Sequence, residues 1–492
     1  MNESRVKTFD SIIATSVCAN VLREAEIFLA INDSGVKENP KFKRKIIRMV
    51  EYGGARAKRL SRPRIILVAA LLAIVLAFTA CMCIPTVREA IINMAHHLVN
   101  GVCDICGVKA PEGLEFTLSD DGSYYILSGA GKFEGENLHI PETYNDLPVK
   151  EISGQAFWDN ETTKILVIPG SITTINAYAF RNCNVLEKVI IEDGVTTIEK
   201  GAFYGCGSLI SVSLPNSVVS IGESAFSLNY KLESINLGSS LVSIGDYAFN
   251  DCDSLEIIVI PDSVITIGKR IFSGCNSLKS VKLSNNIEAI PEGAFAACES
   301  LTSLDFPKNL HSIDNSAFHG CKSLVITEIP SAVTYIGQYA FKECNSITNL
   351  YLPSGVTKLG FGAFSGCKAL VSVTIPGTIE TLTQSVFEGC SSLKSVNIAC
   401  GVSSIERNAF KNCTSLEYVN IPVTVIEISR AAFYQCTSLK EIYIPRGVLV
   451  IENNAFYGIS KIVINCEWDS MPSDWEENWC DENAIVNWGV KK

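Results

Sequence analysis

A phenylalanine returns every 23 residues over most of this 492-residue chain. The fourteen copies in register are Phe157, Phe180, Phe203, Phe226, Phe249, Phe272, Phe295, Phe318, Phe341, Phe364, Phe387, Phe410, Phe433 and Phe456. Ala precedes each of them except two, which follow Ile271 and Val386. A period of this length is typical of a solenoid, because so small a unit cannot bury its own apolar face and must stack on its neighbours.

The rest of the unit keeps the same period. Cys lies three residues after the phenylalanine in eleven of the fourteen copies, and Leu or Ile lies six residues after it in every copy but the first, which has Thr163. Apolar residues follow at nine and eleven, as in Val373 and Ile375, which is the alternation of a short strand with one buried face. We therefore predict an α/β repeat solenoid, in which each coil has one parallel β-strand and a short helical turn around Ala-Phe-x-x-Cys.

The unit Leu-x-x-Val-x-Ile-Pro-x-x-Val-x-x-Ile-x-x-x-Ala-Phe-x-x-Cys resembles the BspA-type leucine-rich repeat of bacterial surface proteins. The resemblance covers about residues 113–464. It implies a protein of the bacterial cell surface that binds a ligand or adheres to another cell. The commoner leucine-rich repeat has Asn after the strand, whereas this chain has small residues such as Ser217 and Gly355 there. We expect its turns to be satisfied by groups other than an asparagine ladder.

The 19 cysteines are concentrated at one position of the repeat, which holds eleven of them. Scattered cysteines in such number would suggest disulfides, and clustered ones a metal site. A ladder at a single repeat position points into the packed core instead, and pairing along it would distort every coil. We therefore interpret these residues as small buried hydrophobes.

Charge is distributed unevenly along the chain, whose net charge is −11. Residues 1–64 hold 14 basic and 7 acidic residues, and ten of the basic ones lie in residues 41–64. Residues 65–84 carry no charge, and twenty apolar residues are the length of a membrane-spanning helix. The basic flank predicts a cytoplasmic amino terminus, contact with anionic lipid through residues 41–84, and an extracellular repeat domain. The acidic remainder argues against nucleic acid as a partner.

The amino-terminal segment has two interpretations. Residues 1–40 have weak amphipathic spacing and are either a small helical stub or a docking segment for a cytosolic partner. The basic stub, the single span and residues 87–91 resemble the anchor portion of clostridial-type anti-sigma and sensor proteins. This resemblance implies an alternative function, a single-pass sensor that relays extracellular binding to a partner such as a sigma factor. A start of translation at Met49 would instead make residues 49–81 a lipoprotein signal.

Residues 85–112 are predicted to form an extracellular juxtamembrane helix followed by a Cys-x-x-Cys linker. Cys103 and Cys106 lie close to His96 and His97, so four zinc ligands occur within eleven residues. The second, spaced pair of a zinc module is missing. A local disulfide or free thiols are the alternatives.

The two ends of the solenoid are predicted to be caps. Residues 113–148 contain a hairpin pattern around Asp120-Asp121-Gly122, and they precede the repeats at residues 149–464. Residues 465–492 hold four tryptophans, which we interpret as a hydrophobic lid or, alternatively, as a carbohydrate-stacking site. Cys466 and Cys480 are placed to clip this lid. The tryptophans are Trp468, Trp475, Trp479 and Trp488.

The repeats show no catalytic, phosphate-binding or metalloenzyme motif, so we predict a non-enzymatic protein without a cofactor. Its ligand would be an extracellular protein or glycan, bound by side chains eight and ten residues after each phenylalanine. In the carboxy-terminal half these mix tyrosine with asparagine, a common recognition composition. The candidate ligand-binding residues are Asn349, Tyr351, Asn397, Tyr418, Asn420 and Tyr443. The equivalent apolar residues of the other half are Ile165, Val167, Ile190, Ile257 and Val259.

Overall fold

A computed structural model describes residues 111–326 and 328–491, which belong to one compact unit. These residues form 32 β-strands and no helix. The predicted stub, membrane span, juxtamembrane helix and Cys-x-x-Cys linker lie outside them. Within the described residues no helix has the length and apolar character needed to cross a membrane.

The chain enters the solenoid through an antiparallel hairpin. Its two strands pair with Leu118 opposite Tyr125, as the pattern around Asp120-Asp121-Gly122 predicts. The Asp121 carboxylate accepts hydrogen bonds from the Ser123 amide at 2.9 Å and the Ser119 hydroxyl at 2.8 Å, which closes the turn. The strands of this region are β1 (Glu115–Leu118), β2 (Tyr125–Gly129), β3 (Asn137–His139), β4 (Thr143–Tyr144) and β5 (Leu147–Ile152).

One strand in each repeat lies where the period-two alternation predicts it. These long strands pair in parallel and in register, and they divide into four sheets together with β3. None is assigned in the repeat of Phe318, in which residue 327 is not described. The long strands are β6 (Ile165–Ile168), β8 (Lys188–Ile191), β10 (Ser211–Ser213), β12 (Ser234–Asn236), β14 (Ile257–Val259), β16 (Ser280–Lys282), β18 (Ser303–Asp305), β21 (Asn349–Tyr351), β23 (Ser372–Ile375), β25 (Ser395–Ile398), β27 (Tyr418–Val419), β29 (Glu441–Ile444), β31 (Val463–Cys466) and β32 (Ile485–Asn487).

A second series of strands, only two residues long, was not predicted. It lies about eighteen residues after each phenylalanine from Phe157 to Phe433, and it also pairs in parallel from coil to coil. Each coil therefore contributes two strands rather than one. The short strands are β7 (Thr174–Ile175), β9 (Thr197–Ile198), β11 (Ser220–Ile221), β13 (Ser243–Ile244), β15 (Thr266–Ile267), β17 (Ala289–Ile290), β19 (Ser312–Ile313), β20 (Tyr335–Ile336), β22 (Lys358–Leu359), β24 (Thr381–Leu382), β26 (Ser404–Ile405), β28 (Glu427–Ile428) and β30 (Val450–Ile451).

The phenylalanines form one continuous stack through the core. Consecutive rings, from Phe157–Phe180 to Phe433–Phe456, are nearly parallel, with centroids 5.0 and 5.1 Å apart at the two ends. Trp479 meets the last ring edge-on at 5.9 Å and is 3% exposed, as Trp475 is. The indole rings therefore close the carboxy-terminal end of the stack. This placement matches the hydrophobic lid that we predicted.

The helical turn that we predicted around Ala-Phe-x-x-Cys is wrong, and so is the α/β class for the described residues. Every repeat has a residue with positive φ two places before its phenylalanine and another two places after it, such as Tyr178 and Asn182. Two left-handed residues within five interrupt the right-handed backbone that a helix requires. They also turn amide groups toward the neighbouring coil, so the Phe180 amide donates to the Ala202 carbonyl at 2.8 Å. We call the residues from two before to two after each phenylalanine the turn face.

The turns are satisfied by hydroxyl and thiol groups, as the missing asparagine ladder led us to expect. The Ser217 hydroxyl donates to the Val195 carbonyl at 2.7 Å. At the same repeat position nearer the carboxy terminus, the Thr424 hydroxyl donates to the Val402 carbonyl, also at 2.7 Å. Each ladder cysteine donates its thiol hydrogen to the phenylalanine carbonyl of the preceding coil, for example Cys344 to Phe318 at 3.1 Å. The ladder cysteines are free and buried, which agrees with our interpretation of them as small buried hydrophobes. The hydrogen bond to the preceding coil is a second role that we did not predict.

Candidate binding surface

Along each long strand, every second side chain points to solvent. We call the surface formed by these side chains the long-strand face. Parallel pairing in register places equivalent residues of successive coils beside each other, so Asn349 lies opposite Ser372 and Tyr351 opposite Thr374. The buried alternate residues, such as Leu350 and Val373, pack in the core. The outward side chains are therefore held on a regular backbone about 4.8 Å apart from coil to coil.

Two of the candidate residues are prominent on this face. Tyr351 is 60% exposed and Tyr418 is 56% exposed. They lie three coils apart, which is about 14 Å along the stack. Asn349 and Asn397 are also exposed, and the Asn349 carboxamide oxygen accepts a hydrogen bond from the Ser372 hydroxyl at 3.0 Å.

Asn420 and Tyr443 are engaged within the protein. The Asn420 oxygen accepts from the Ile398 amide and its nitrogen donates to the Ile398 carbonyl, both at 2.7 Å. The side chain thus replaces strand pairing, which explains why β27 ends at Val419 although its register places Asn420 opposite Asn397. The Tyr443 hydroxyl donates to the Val490 carbonyl at 3.4 Å, and the ring is half-buried.

A polar ladder that we did not predict extends this face to the carboxy terminus. The Asn465 amide donates to Glu441 at 2.7 Å, and the Asn487 amide donates to Asn465 at 2.8 Å. These residues are spaced by 24 and 22 rather than by 23, so the period does not reveal them. The register places Asn465 opposite Asn487 and opposite Tyr443, so Glu441 reaches Asn465 diagonally.

A shallow hollow lies beside the first exposed tyrosine. The residues that line it are Ile326, Glu328, Ile329, Asn349, Leu350 and Tyr351. The hollow has no room for a water molecule, so it is only a dent in the surface. Most of the contact with any ligand would therefore come from the exposed surface itself.

The apolar residues predicted on the amino-terminal half are exposed to different extents. Ile257 and Val259 are 54% and 51% exposed, whereas Val167 is buried at 6%. Ile165 and Ile190 are half-buried. The apolar surface on these strands is thus concentrated on β14.

The described residues contain no group of three or more His, Cys, Asp or Glu side chains that could hold a metal ion. The weak zinc candidates His96, His97, Cys103 and Cys106 lie outside the described residues. Cys466 and Cys480, which we placed as a clip for the lid, are free thiols. The face that the chain presents is therefore one of rings, amides and hydroxyl groups.

Parallel strands stacked at a 23-residue interval around a ladder of apolar rings define a leucine-rich repeat solenoid. The chain belongs to the family of the BspA type leucine rich repeat region, whose pattern matches in six copies over residues 150–277, 242–371 and 358–468. No curated protein matches the chain.

Several solved structures are similar to this chain. A leucine-rich repeat protein from Bacteroides ovatus is 26% identical with a TM-score of 0.62, and the match covers 77% of this chain and 99% of the other. A leucine rich cell surface protein from Faecalibacterium prausnitzii is 26% identical, with a TM-score of 0.41 and 69% and 95% of the two chains covered. The pneumococcal vaccine antigen PcpA is 21% identical, with a TM-score of 0.47 and 77% and 100% covered.

Proposed function

We propose that the protein is a membrane-anchored protein of the bacterial cell surface that binds an extracellular protein or glycan on its long-strand face. The proposal keeps the anchor at residues 65–84 and the cytoplasmic amino terminus that the charge pattern predicts. Membership of the BspA-type family supports a role at the surface.

The observation that carries the binding role is the exposure of Tyr351 and Tyr418 on paired strands. A tyrosine offers a large contact area with only two side-chain torsions to immobilise, so little conformational entropy is lost on binding. The strands below it are held by coil-to-coil hydrogen bonds, which adds preorganisation. Aromatic residues of this kind are common hot spots of recognition.

The exposed neighbours Asn349 and Asn397 add adaptable hydrogen-bonding groups to the same face. The oxygen and the nitrogen of the Asn420 carboxamide are both bonded to the backbone of Ile398. We therefore assign Asn420 a role in holding the strands of this face rather than in contacting the ligand. Tyr443 is half-buried and contributes an edge of its ring. The binding role therefore rests on Tyr351 and Tyr418 first, and on the two asparagines second.

The test compares two pairs of tyrosines in the full chain. Protein and glycan arrays are probed first, and the strongest hit is then titrated against Tyr351→Ala/Tyr418→Ala and against the matched control Tyr230→Ala/Tyr457→Ala. The control removes two tyrosines that are 48% and 46% exposed but lie away from the long-strand face. We expect the first variant to bind at least about 30-fold more weakly, as the loss of one hot spot implies, and the control to bind like the wild type. Unchanged binding by a folded first variant would contradict the proposal.

A further inference from the structure

Arg181 lies between two aromatic rings on the turn face near the amino-terminal end of the repeats. Its guanidinium carbon is 4.5 Å from the Trp158 ring centroid and 5.1 Å from that of Tyr204. The three residues each follow a stacked phenylalanine in successive coils, so one ring lies in the coil before Arg181 and the other in the coil after it. Tyr178 flanks it at 5.4 Å. We call these four residues the arginine–aromatic cluster.

The cluster leaves the charge of Arg181 without an anion. No carboxylate of the described residues forms an ion pair with it, and its buried Nε has no hydrogen-bond partner. Asp159, which is next to Trp158, instead accepts a hydrogen bond from the Asn182 amide at 3.0 Å. Since Nε is buried among these rings, the outer nitrogens of the guanidinium are the groups that we expect to bind an anion. A planar carboxylate fits that geometry with two parallel hydrogen bonds.

The rings hold the guanidinium in one orientation. Gly201 makes room for Tyr178, because a Cβ at that position would collide with the tyrosine ring. Cation–π contacts with Trp158, Tyr178 and Tyr204 favour the charged side chain in this position and restrict its rotation. The guanidinium is thus preorganised, which lowers the entropy cost of binding a ligand.

We propose that the arginine–aromatic cluster binds an acidic saccharide through its carboxylate. Trp158 is 39% exposed, so part of its ring remains available beside the guanidinium. An apolar face of a sugar ring can pack on this indole while the carboxylate of the same sugar reaches Arg181. A peptide ligand is less suited, since the cluster offers no enclosed pocket for an apolar anchor. The site lies on the turn face and does not depend on the proposed role of the long-strand face.

Titration of the full chain with oligogalacturonate and with its methyl ester tests the proposal. The two probes share their rings and differ in the carboxylate charge. Because the chain has a net charge of −11, its general field disfavours the acidic probe, so preference for the acid must come from a local site. We expect the acid to bind at least about tenfold more tightly than the ester, as loss of a charge-assisted pair implies.

Variants locate the site. Arg181→Lys keeps the charge but loses the planar pair of donors, and we expect it to abolish the preference for the acid. Trp158→Ala should weaken both probes, whereas Tyr457→Ala, at the same repeat position near the other end, should bind like the wild type. The proposal would be overturned if the acid and the ester bound equally or if neither bound. It would also be overturned if folded Arg181→Lys kept the preference for the acid. Equal binding of a polyglutamate peptide would overturn the assignment to a saccharide.

Discussion

The cysteine that follows each phenylalanine both fills the core and completes a hydrogen bond. Its thiol reaches the phenylalanine carbonyl one coil back, as in Cys298 to Phe272 at 3.0 Å. The one interior repeat that lacks the cysteine has Asn229, whose amide makes the same bond to Phe203 at 3.2 Å. The position therefore requires a small buried donor, and cysteine supplies one with little polar surface.

Two substitutions in one repeat separate packing from this hydrogen bond. We expect Phe341→Ala to cost about 3–5 kcal/mol locally, because it opens a cavity in the ring stack. Cys344→Ala should cost about 1 kcal/mol, the value of a typical hydrogen bond. Hydrogen exchange of the amides in this and the adjacent repeats measures both costs. Loss of the fold in Cys344→Ala but not in Phe341→Ala would contradict this assignment of the core.

The thiol ladder also predicts how stability depends on pH. Burial raises the pKa of the Cys367 thiol from 9.0 to about 12. Between these pH values the Cys367 thiol is deprotonated in the unfolded chain but keeps its proton in the folded chain. Its contribution to stability is therefore full below pH 9 and falls as pH rises toward 12, by up to about 1.4 kcal/mol per pH unit.

The contribution of this thiol can be measured by comparing the wild type with Cys367→Ala. The stability advantage of the wild type in urea should shrink between pH 9 and pH 11, because only the wild type has this titrating group. Lysines and tyrosines titrate in both proteins and cancel in the difference. An advantage that stays constant across this range would contradict the buried, protonated thiol.

At the scale of the elements, the turn face is built from left-handed residues rather than from a helix. Nineteen of the left-handed positions beside the phenylalanines are not glycine, including Ala297 with φ of 61°. A left-handed L-residue costs roughly 1–2 kcal/mol, and glycine avoids this cost but loses more entropy on folding. The conformation persists because each turn is bonded to the coils on both sides of it.

Ala297 and Gly320 form a matched pair, since they occupy the same position in adjacent coils. Gly320 has φ of 77°, and a Cβ there would meet its nearest atom at an ordinary 3.7 Å. Gly320→Ala therefore isolates backbone strain, and we expect it to lower stability by about 1 kcal/mol. Ala297→Gly should raise stability by a few tenths of a kcal/mol up to about 1 kcal/mol. Opposite signs in urea denaturation of the full chain would show that these turns are not left-handed.

Periodicity predicted the long strands but neither the short strands nor the turns. A strand such as Thr174–Ile175 is too short to alternate, so its two residues carry no period-two pattern. Many of the left-handed turn positions hold residues such as Tyr178 and Ala297, which do not signal positive φ. Both elements form because neighbouring coils supply hydrogen-bond partners, and that contribution is not local in the sequence.

The candidate binding residues show the same limit. Alternation placed Tyr351 and Tyr418 on the exposed face correctly, because the strand period determines which side chains point outward. It could not indicate that Asn420 binds the backbone of Ile398, since this depends on the end of one strand. Strand alternation also did not predict the contact between Trp158 and Arg181, because these residues lie in the turns and meet through the 23-residue register of successive coils.

At the scale of the whole molecule, repeated ladders hold the solenoid together. The Phe stack, the thiol bonds and two series of parallel strands each continue from coil to coil. The solenoid therefore needs caps at its ends, which the hairpin and the tryptophan lid provide. We propose that the repeats lie outside the membrane, and the cysteines offer a direct test of this location.

Cys400 is exposed, whereas ladder cysteines such as Cys390 are buried. Cells that produce the full chain are treated with a membrane-impermeant maleimide, intact or after lysis, and the labelled fraction of the peptide that contains Cys400 is measured by mass spectrometry. Cys390 should stay unlabelled in both samples while the protein is folded, which serves as the internal control. If the repeats lie outside the membrane, Cys400 is labelled equally in intact and lysed cells. Labelling of Cys400 only after lysis would contradict this location.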